Sequence, residues 1–371
     1  MRIAVLIDSM AYMGGAQKVT SRQVNYWSQH GHAVHLFTYT DPVASESFFA
    51  LQQSIQLKNL FWEGIPKSPI PKTTLVKRLL KVRKEILSVR PEVVLGVTEA
   101  GAVLALQALI GSRIPIVVFE HIDPSQQVLP AKVENLRQKL YPQARAVVCL
   151  TQRALESFPD RIRRKGYVIP NAVPEPEWAK VDTRTFQKDE YVAIYVGRLL
   201  NAQKRVDRAI IAFDRISASH PNWTFEIWGA GEDENELRNL VRNLSNGKKI
   251  KFMGATVDPV SVMKRSDLLL LTSQFEGMPL VIGEAMSVGL PVISFDCPTG
   301  PREMIRDSVD GVLVPNGDVD AFARELDRLM SNHPERLEMG MRACSIVERY
   351  SEPSVMQKWD DLLLALPRGS R

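Results

Sequence analysis

The sequence predicts an α/β protein with two doubly wound parallel sheets. Short runs rich in Val, Ile and Leu alternate with helical patterns along the chain. The runs are continuously apolar, as strands are when helices cover both faces of a parallel sheet. They fall into two series, and 371 residues suit two or three domains.

In the first series, strands are expected at Ile3–Ile7, Ala33–Thr38, Val93–Val97, Ile116–Phe119, Ala146–Leu150 and Tyr167–Ile169. Helical periodicity marks Lys18–His30 and Val103–Ile110. In the second, strands are expected at Val192–Val196, Thr224–Trp228, Ile250–Met253, Leu268–Leu271, Val292–Phe295 and Val312–Val314. Helices are expected at Val206–Ser217, Glu234–Leu244 and Ala321–Met330. Pro170, Pro174 and Pro176 among charged residues place the joint in Pro170–Thr185. The expected domains are residues 1–172 and 173–350, with the terminal helix Pro353–Leu366 packing back on the first. The tail Leu366–Arg371 resembles a cloning remnant and carries no fold argument.

Hydrophobic residues make up 45% and charged residues 24%, which excludes a wholly disordered, collagen-like or coiled-coil chain. Three cysteines without a CxxC pair read as buried reduced thiols. The chain enters Ile3–Ile7 without a basic leader, so no signal peptide is expected. No apolar run approaches the ~18 residues of a membrane span. The expected location is cytoplasmic, with a peripheral position on the inner face of the cell membrane as the variant raised by one helix.

That helix lies in the basic half. Residues 1–185 hold 24 Lys and Arg against 15 Asp and Glu, a net +9; the remainder holds 23 against 27, a net −4. Unequal halves imply different partners. Much of the excess sits in Lys72–Arg90. There Leu75, Leu79, Val82, Ile86 and Val89 share a face, and Lys77, Arg78, Lys81 and Lys84 oppose it, with Arg83 out of pattern. Such a helix can dock on anionic lipid, or simply pack on a core with its charges solvated. It lacks interleaved aromatics, so nucleic acid is not an expected partner.

Ligands of open α/β sheets bind beyond the carboxyl ends of strands. After the first strand, Gly14 and Gly15 stand at a helix start, where backbone N–H groups can meet an anion; the alternative is a plain loop. The pattern is not GxGxxG, which disfavours a nicotinamide enzyme. In the second series, Arg198 and Lys204 lie in a loop entering a helix and can grip a diphosphate from two sides. Gly229 and Gly231 permit close backbone approach, and Glu232-Asp233 suits a helix start. Pro279 suits a first helical turn. That leaves Glu276 in the preceding loop, Glu284 within the helix, and the N–H groups of Gly277, Met278 and Leu280, which flank Pro279, facing a ligand. The plainer alternative is an acidic residue near a helix start plus a solvent-facing Glu284. His121 ends an apolar strand and can bond a substrate hydroxyl or local carbonyls; Glu99 is similarly placed. Asp318-Val319-Asp320 reads as a helix cap, and no His/Cys/Asp cluster has metal-ligand spacing.

Taken together, Gly14-Gly15-Ala16-Gln17, Ile169-Pro170-Asn171, Gly197-Arg198-Leu199 with Lys204, Gly229-Ala230-Gly231, Glu276-x7-Glu284 and Gly289-Leu290-Pro291-Val292 resemble the family 4 retaining glycosyltransferases of the GT-B fold. The resemblance runs through nearly the whole chain. It implies two Rossmann-like domains facing across a cleft, the first binding the acceptor and the second a nucleotide sugar. By resemblance Arg198 and Lys204 hold the donor diphosphate, Glu284 the ribose and Glu276 the transferred sugar. Gly15 closes over the phosphates, His121 sits near the sugar, and the Met253-Gly254 loop approaches the nucleobase. The stretch Asp296–Glu303 resembles members that use UDP-hexoses or UDP-N-acetylhexosamines to build bacterial surface polysaccharide on polyprenyl-diphosphate lipids. No metal and no cofactor beyond the UDP-sugar substrate is implied. A soluble sugar acceptor and a non-catalytic nucleotide-binding scaffold are the alternatives. One departure is Arg205, where many members have Gly after the Lys.

Overall fold

A computed structural model describes residues 1–41, 46–60, 72–126, 129–175 and 189–366; most of the expected joint and the terminal tail lie outside them. The chain divides into two compact units: Met1–Asn171 with Pro353–Arg371, and Ala172–Glu352.

The first unit carries a sheet of β1 (Arg2–Ile7), β2 (Ala33–Thr38), β3 (Gln56–Asn59), β4 (Val93–Val97), β5 (Ile116–Glu120), β6 (Ala146–Cys149) and β7 (Gly166–Val168). Its spatial order is β3-β2-β1-β4-β5-β6-β7, and every pairing is parallel. The second carries β8 (Tyr191–Val196), β9 (Trp223–Trp228), β10 (Ile250–Gly254), β11 (Leu268–Leu271), β12 (Val292–Asp296) and β13 (Val312–Pro315), in the order β10-β9-β8-β11-β12-β13 and again all parallel. Both sheets reverse strand order once, between β1 and β4 and between β8 and β11. Those two switch points are where an open α/β sheet offers room for a ligand.

Every expected strand is present within a residue or two at its ends. One further strand, β3, is not among those expected. Its segment Gln-Leu-Lys-Asn has one apolar residue and lies at the sheet edge, where burial demands no apolar run. Central strands β1, β4 and β5 are almost wholly buried.

The terminal helix Glu352–Ala365 packs on the first unit through Trp359. This ring meets Trp27 edge-on at 5.9 Å and Phe119 at 4.8 Å. Such T-shaped pairs match the edge of one ring to the face of another. Phe119 in turn lies 4.2 Å from the His121 ring, so the terminal helix buttresses the end of β5.

Candidate active site

The second unit concentrates charge at its switch point. The loop after β8 ends in the short helix Asn201–Lys204, and the loop after β11 precedes the helix Leu280–Ser287. Hydrogen bonds bind these loops together. Gln274 N–H donates to Gln203 O (2.7 Å), Thr272 Oγ1 to Arg205 O (2.8 Å), and Gln203 Nε2 to Phe275 O (3.4 Å). That zipper brings Lys204 Nζ to 2.6 Å from Glu276 Oε1, with the Glu276 side chain only 6% exposed. Ser273 Oγ also donates to Glu276 Oε1, at 2.6 Å. Thr299 Oγ1 donates to the Glu276 carbonyl at 2.5 Å. A buried carboxylate needs such compensation.

Pro279 stands one residue before the helix, at its N-cap, so the expected helical start shifts to Leu280. No side chain caps this end, and its first turn holds no acid. Gly277, Met278 and Pro279 are buried. Gly300 packs beneath them at φ +98°, where an added Cβ would meet Pro279 Cδ at 2.6 Å and Gly277 O at 2.9 Å. Glu284 is buried inside the helix, which overturns the plainer reading of a solvent-facing residue.

The glycines after β9 do make a close approach, but to a neighbouring loop. A Cβ at Gly229 would lie 1.8 Å from Gly197 O. Leu199 N–H donates to Ala230 O (3.0 Å), and Gly229 N–H to Gly254 O (2.8 Å). The loops after β8, β9 and β10 are thereby stitched together. Asp233 adds to this. As the sequence predicts, it stands at a helix start, that of Glu234–Arg242, and its side chain accepts from Asn201 N–H at 2.6 Å. Met253 is the extra residue of a register shift between β10 and β9, which leaves it exposed. Arg198 is exposed, with Glu232 at 3.7 Å. Arg205 adopts the left-handed conformation (φ 47°, ψ 45°) that Gly takes freely. Its fork on Asp207, at 3.0 and 2.8 Å, holds an arginine in the glycine geometry.

The first unit is built differently. The helix Gly15–Gln29 starts after Gly14, without a side-chain cap. Gln17 folds back to Asp8 (3.3 Å) and Ser9 O (3.2 Å), and Asp41 accepts from Met10 N–H (2.9 Å). At the end of β5, His121 Nε2 is buried without a hydrogen-bond partner among the described residues. Burial pushes its pKa down to about 3, so the imidazole is neutral. The preceding Glu120 is buried, and burial raises its pKa to about 7 although Tyr141 donates to Oε1. Burial also raises Glu99. Beside it, Thr98 holds φ +62°, an outlying conformation for a β-branched residue. Such strain persists only where surrounding structure enforces it.

Residues 13–175 match the model described as Glycosyltransferase Family 4, and residues 177–344 match Glycosyl transferases group 1. The chain belongs to the glycosyltransferases. Its similarity to the amylovoran biosynthesis glycosyltransferase AmsD of Erwinia amylovora is 25% identity over 98% of this chain and 99% of that one. An exopolysaccharide phosphotransferase of Streptomyces coelicolor is 32% identical over 61% of this chain, which is 24% of that protein's length. Among solved structures, Anabaena HepE in complex with UDP and glucose shares the fold, with a TM-score of 0.82, 20% identity, and coverage of 98% and 99% of the two chains.

In this glycosyltransferase the basic helix Lys72–Ser88 is less neatly divided than its periodicity implies. Val82 and Ile86 are buried, but Leu75, Val76 and Leu80 are exposed, the last at 58%. Lys77, Lys81 and Lys84 are exposed on the same helix. The out-of-pattern Arg83 donates to Ala108 O (3.0 Å) and Ile110 O (2.9 Å), closing the end of the neighbouring helix Thr98–Ala108. Asp318 caps its helix by accepting from Ala321 N–H at 2.8 Å, as the sequence predicts. Cys149 and Cys297 are buried and their thiols are raised by burial, whereas Cys344 is only partly buried. No described helix is long and apolar enough to cross a membrane.

Proposed function

We propose that the chain is a retaining, metal-independent hexosyltransferase. It moves a hexose or N-acetylhexosamine from a UDP-sugar to a polyprenyl-diphosphate-linked glycan in bacterial polysaccharide synthesis. The observation that carries this reading is the Lys204–Glu276 pair at the β8/β11 switch point. A cation and a carboxylate side by side suit a ligand that is anionic at one end and polyhydroxylated at the other.

In this reading Lys204 and Arg198 hold the diphosphate, with the N–H groups at the start of Leu280–Ser287; in the first unit, the N–H groups near Gly14 and Gly15 are likewise suited to an anion. Glu284 accepts from the ribose, Glu276 from the transferred sugar, and Met253 borders the base. The anomeric C–O bond to the diphosphate breaks, and its electron pair leaves with UDP. The acceptor oxygen forms the new bond on the same face, and its proton passes to the departing phosphate. Fixed cations and amides lower the barrier by meeting the charge that develops there. His121, neutral and with an unmet nitrogen, is suited to bond a sugar hydroxyl. The similarity to an amylovoran biosynthesis enzyme supports a polysaccharide product, and the UDP complex of the HepE relative supports the nucleotide.

Val76 and Leu80 among exposed lysines suit an anionic lipid surface, which supports a peripheral position at the membrane that holds the acceptor. The test is a screen of UDP-sugars for protein-dependent UDP release, with polyprenyl-diphosphate glycans and free sugars as separate acceptors. Transfer to the lipid-linked glycan is expected. Transfer to free sugars alone marks a soluble-acceptor enzyme, and UDP binding without transfer to any acceptor marks a non-catalytic nucleotide-binding scaffold.

A further inference from the structure

Glu276 is held unequally at its two oxygens. Lys204 Nζ and Ser273 Oγ both donate to Oε1, each at 2.6 Å, and among the described residues no protein donor reaches Oε2. The backbone of Glu276 is held separately, by Thr299 Oγ1 on its carbonyl. Ser273 is 1% exposed and lies two residues past the end of β11, a central strand. Its side chain is short and its loop is zipped to the β8 loop through Thr272 and Gln274.

The two donors on Oε1 are not equivalent. Lys204 has a long stem and three N–H donors. An incoming diphosphate competes with the carboxylate for its ammonium. Ser273 carries no charge for an anion to attract, and it sits three residues from Glu276 in the same loop. When Lys204 turns toward phosphate, Ser273 is the donor that stays.

We propose that Ser273 is a positioning residue. Its hydroxyl fixes the Glu276 carboxylate so that Oε2 alone faces the hydroxyls of the transferred sugar, and discrimination among donor sugars depends on that orientation. This rests on the reading that Glu276 meets the sugar. Its chemistry is one of geometry: a carboxylate free to rotate offers either oxygen to several hydroxyl arrangements, and a fixed one favours a single arrangement.

The experiment compares wild type, Ser273→Ala, Ser273→Thr and Glu276→Ala. It measures kcat and KM for a panel of UDP-hexoses and UDP-N-acetylhexosamines, UDP affinity by calorimetry, and melting temperature. For Ser273→Ala, kcat on the best donor should fall about 10- to 100-fold, the range for losing a hydrogen bond to a charged group. The preference for that donor over its epimers should narrow, and UDP affinity should stay within about twofold, since the diphosphate contacts remain. Ser273→Thr, which keeps the hydroxyl, should recover most of the preference. Should Ser273→Ala fail to fold, Ser273→Cys, similar in size and a weak donor, carries the same expectations. Unchanged kcat and donor preference in the folded variant overturn the proposal. So does a UDP affinity that falls in step with kcat, which indicates a general loosening of the loop. Normal turnover in Glu276→Ala overturns the underlying site reading instead. An inactive Glu276→Ala beside a normal Ser273→Ala overturns the positioning role alone.

Discussion

The two switch points share one topology and differ in chemistry. At β8/β11, a lysine and a glutamate meet at 2.6 Å in loops stitched by backbone and hydroxyl bonds. At β1/β4 and the adjoining β5 end, the groups are a strained threonine, buried acids held toward neutrality, and a neutral histidine with an unmet nitrogen. The first arrangement suits an anion that gains charge, and the second suits neutral hydroxyl groups. One fold thus carries two kinds of loop chemistry, because its strands fix where loops begin while the loop residues differ.

The sharpest way to break this contrast is Lys204→Ala. Turnover should fall at least about 1,000-fold, because the variant removes the charge facing the leaving group and strands a buried carboxylate. Steady-state UDP release checks it, and near-normal turnover removes the charged half of the comparison. His121→Ala should be milder, about 10- to 100-fold in turnover, with UDP affinity unchanged. A parallel loss of UDP affinity would merge the two sites into one.

Reversing the lysines by Lys77→Glu, Lys81→Glu and Lys84→Glu together should abolish sedimentation with anionic vesicles at low salt while transfer to a soluble acceptor analogue persists. Retained sedimentation would remove the lipid-docking role of this helix. The buried acids give a pH test. Glu120 has a pKa raised from 4.5 to about 7, so its neutral form is favoured on folding. The stability it lends is complete below about pH 4.5 and is lost as pH rises through about 7. Glu120→Gln should therefore gain on wild type between pH 5 and pH 8, by up to about 3 kcal/mol. Denaturant titrations at the two pH values check it, and a constant difference would place Glu120 in water. The smallest effect is expected from Arg205→Gly. Relief of a left-handed conformation offsets loss of the Asp207 fork, and both stability and turnover should stay close to wild type. A large loss of turnover would assign Arg205 a direct role.

Strand positions were legible because buried parallel strands need unbroken apolar runs; β3 was not, because an edge strand does not. The charged residues of the site could be picked out singly, yet their pairing could not. Lys204 and Glu276 stand 72 positions apart, and only the zipper of Thr272, Gln274 and Gln203 brings them together. Gly229 was recognised as a close-approach glycine, but the backbone it admits belongs to Gly197, which no local pattern reveals. Ser273 and Thr98 gave no signal at all: a hydroxyl's partner and a strained φ are properties of the folded chain. Arg205 keeps a left-handed backbone that glycine takes freely, which its residue type does not announce.

Calorimetric titration with UDP of wild type, Lys204→Ala and His121→Ala tests the contrast most directly. Saturable binding to wild type is expected, weakened at least about tenfold without Lys204, in line with loss of a charge-assisted contact, and unchanged without His121. Binding that is absent from wild type, or that depends on His121 as much as on Lys204, would contradict it.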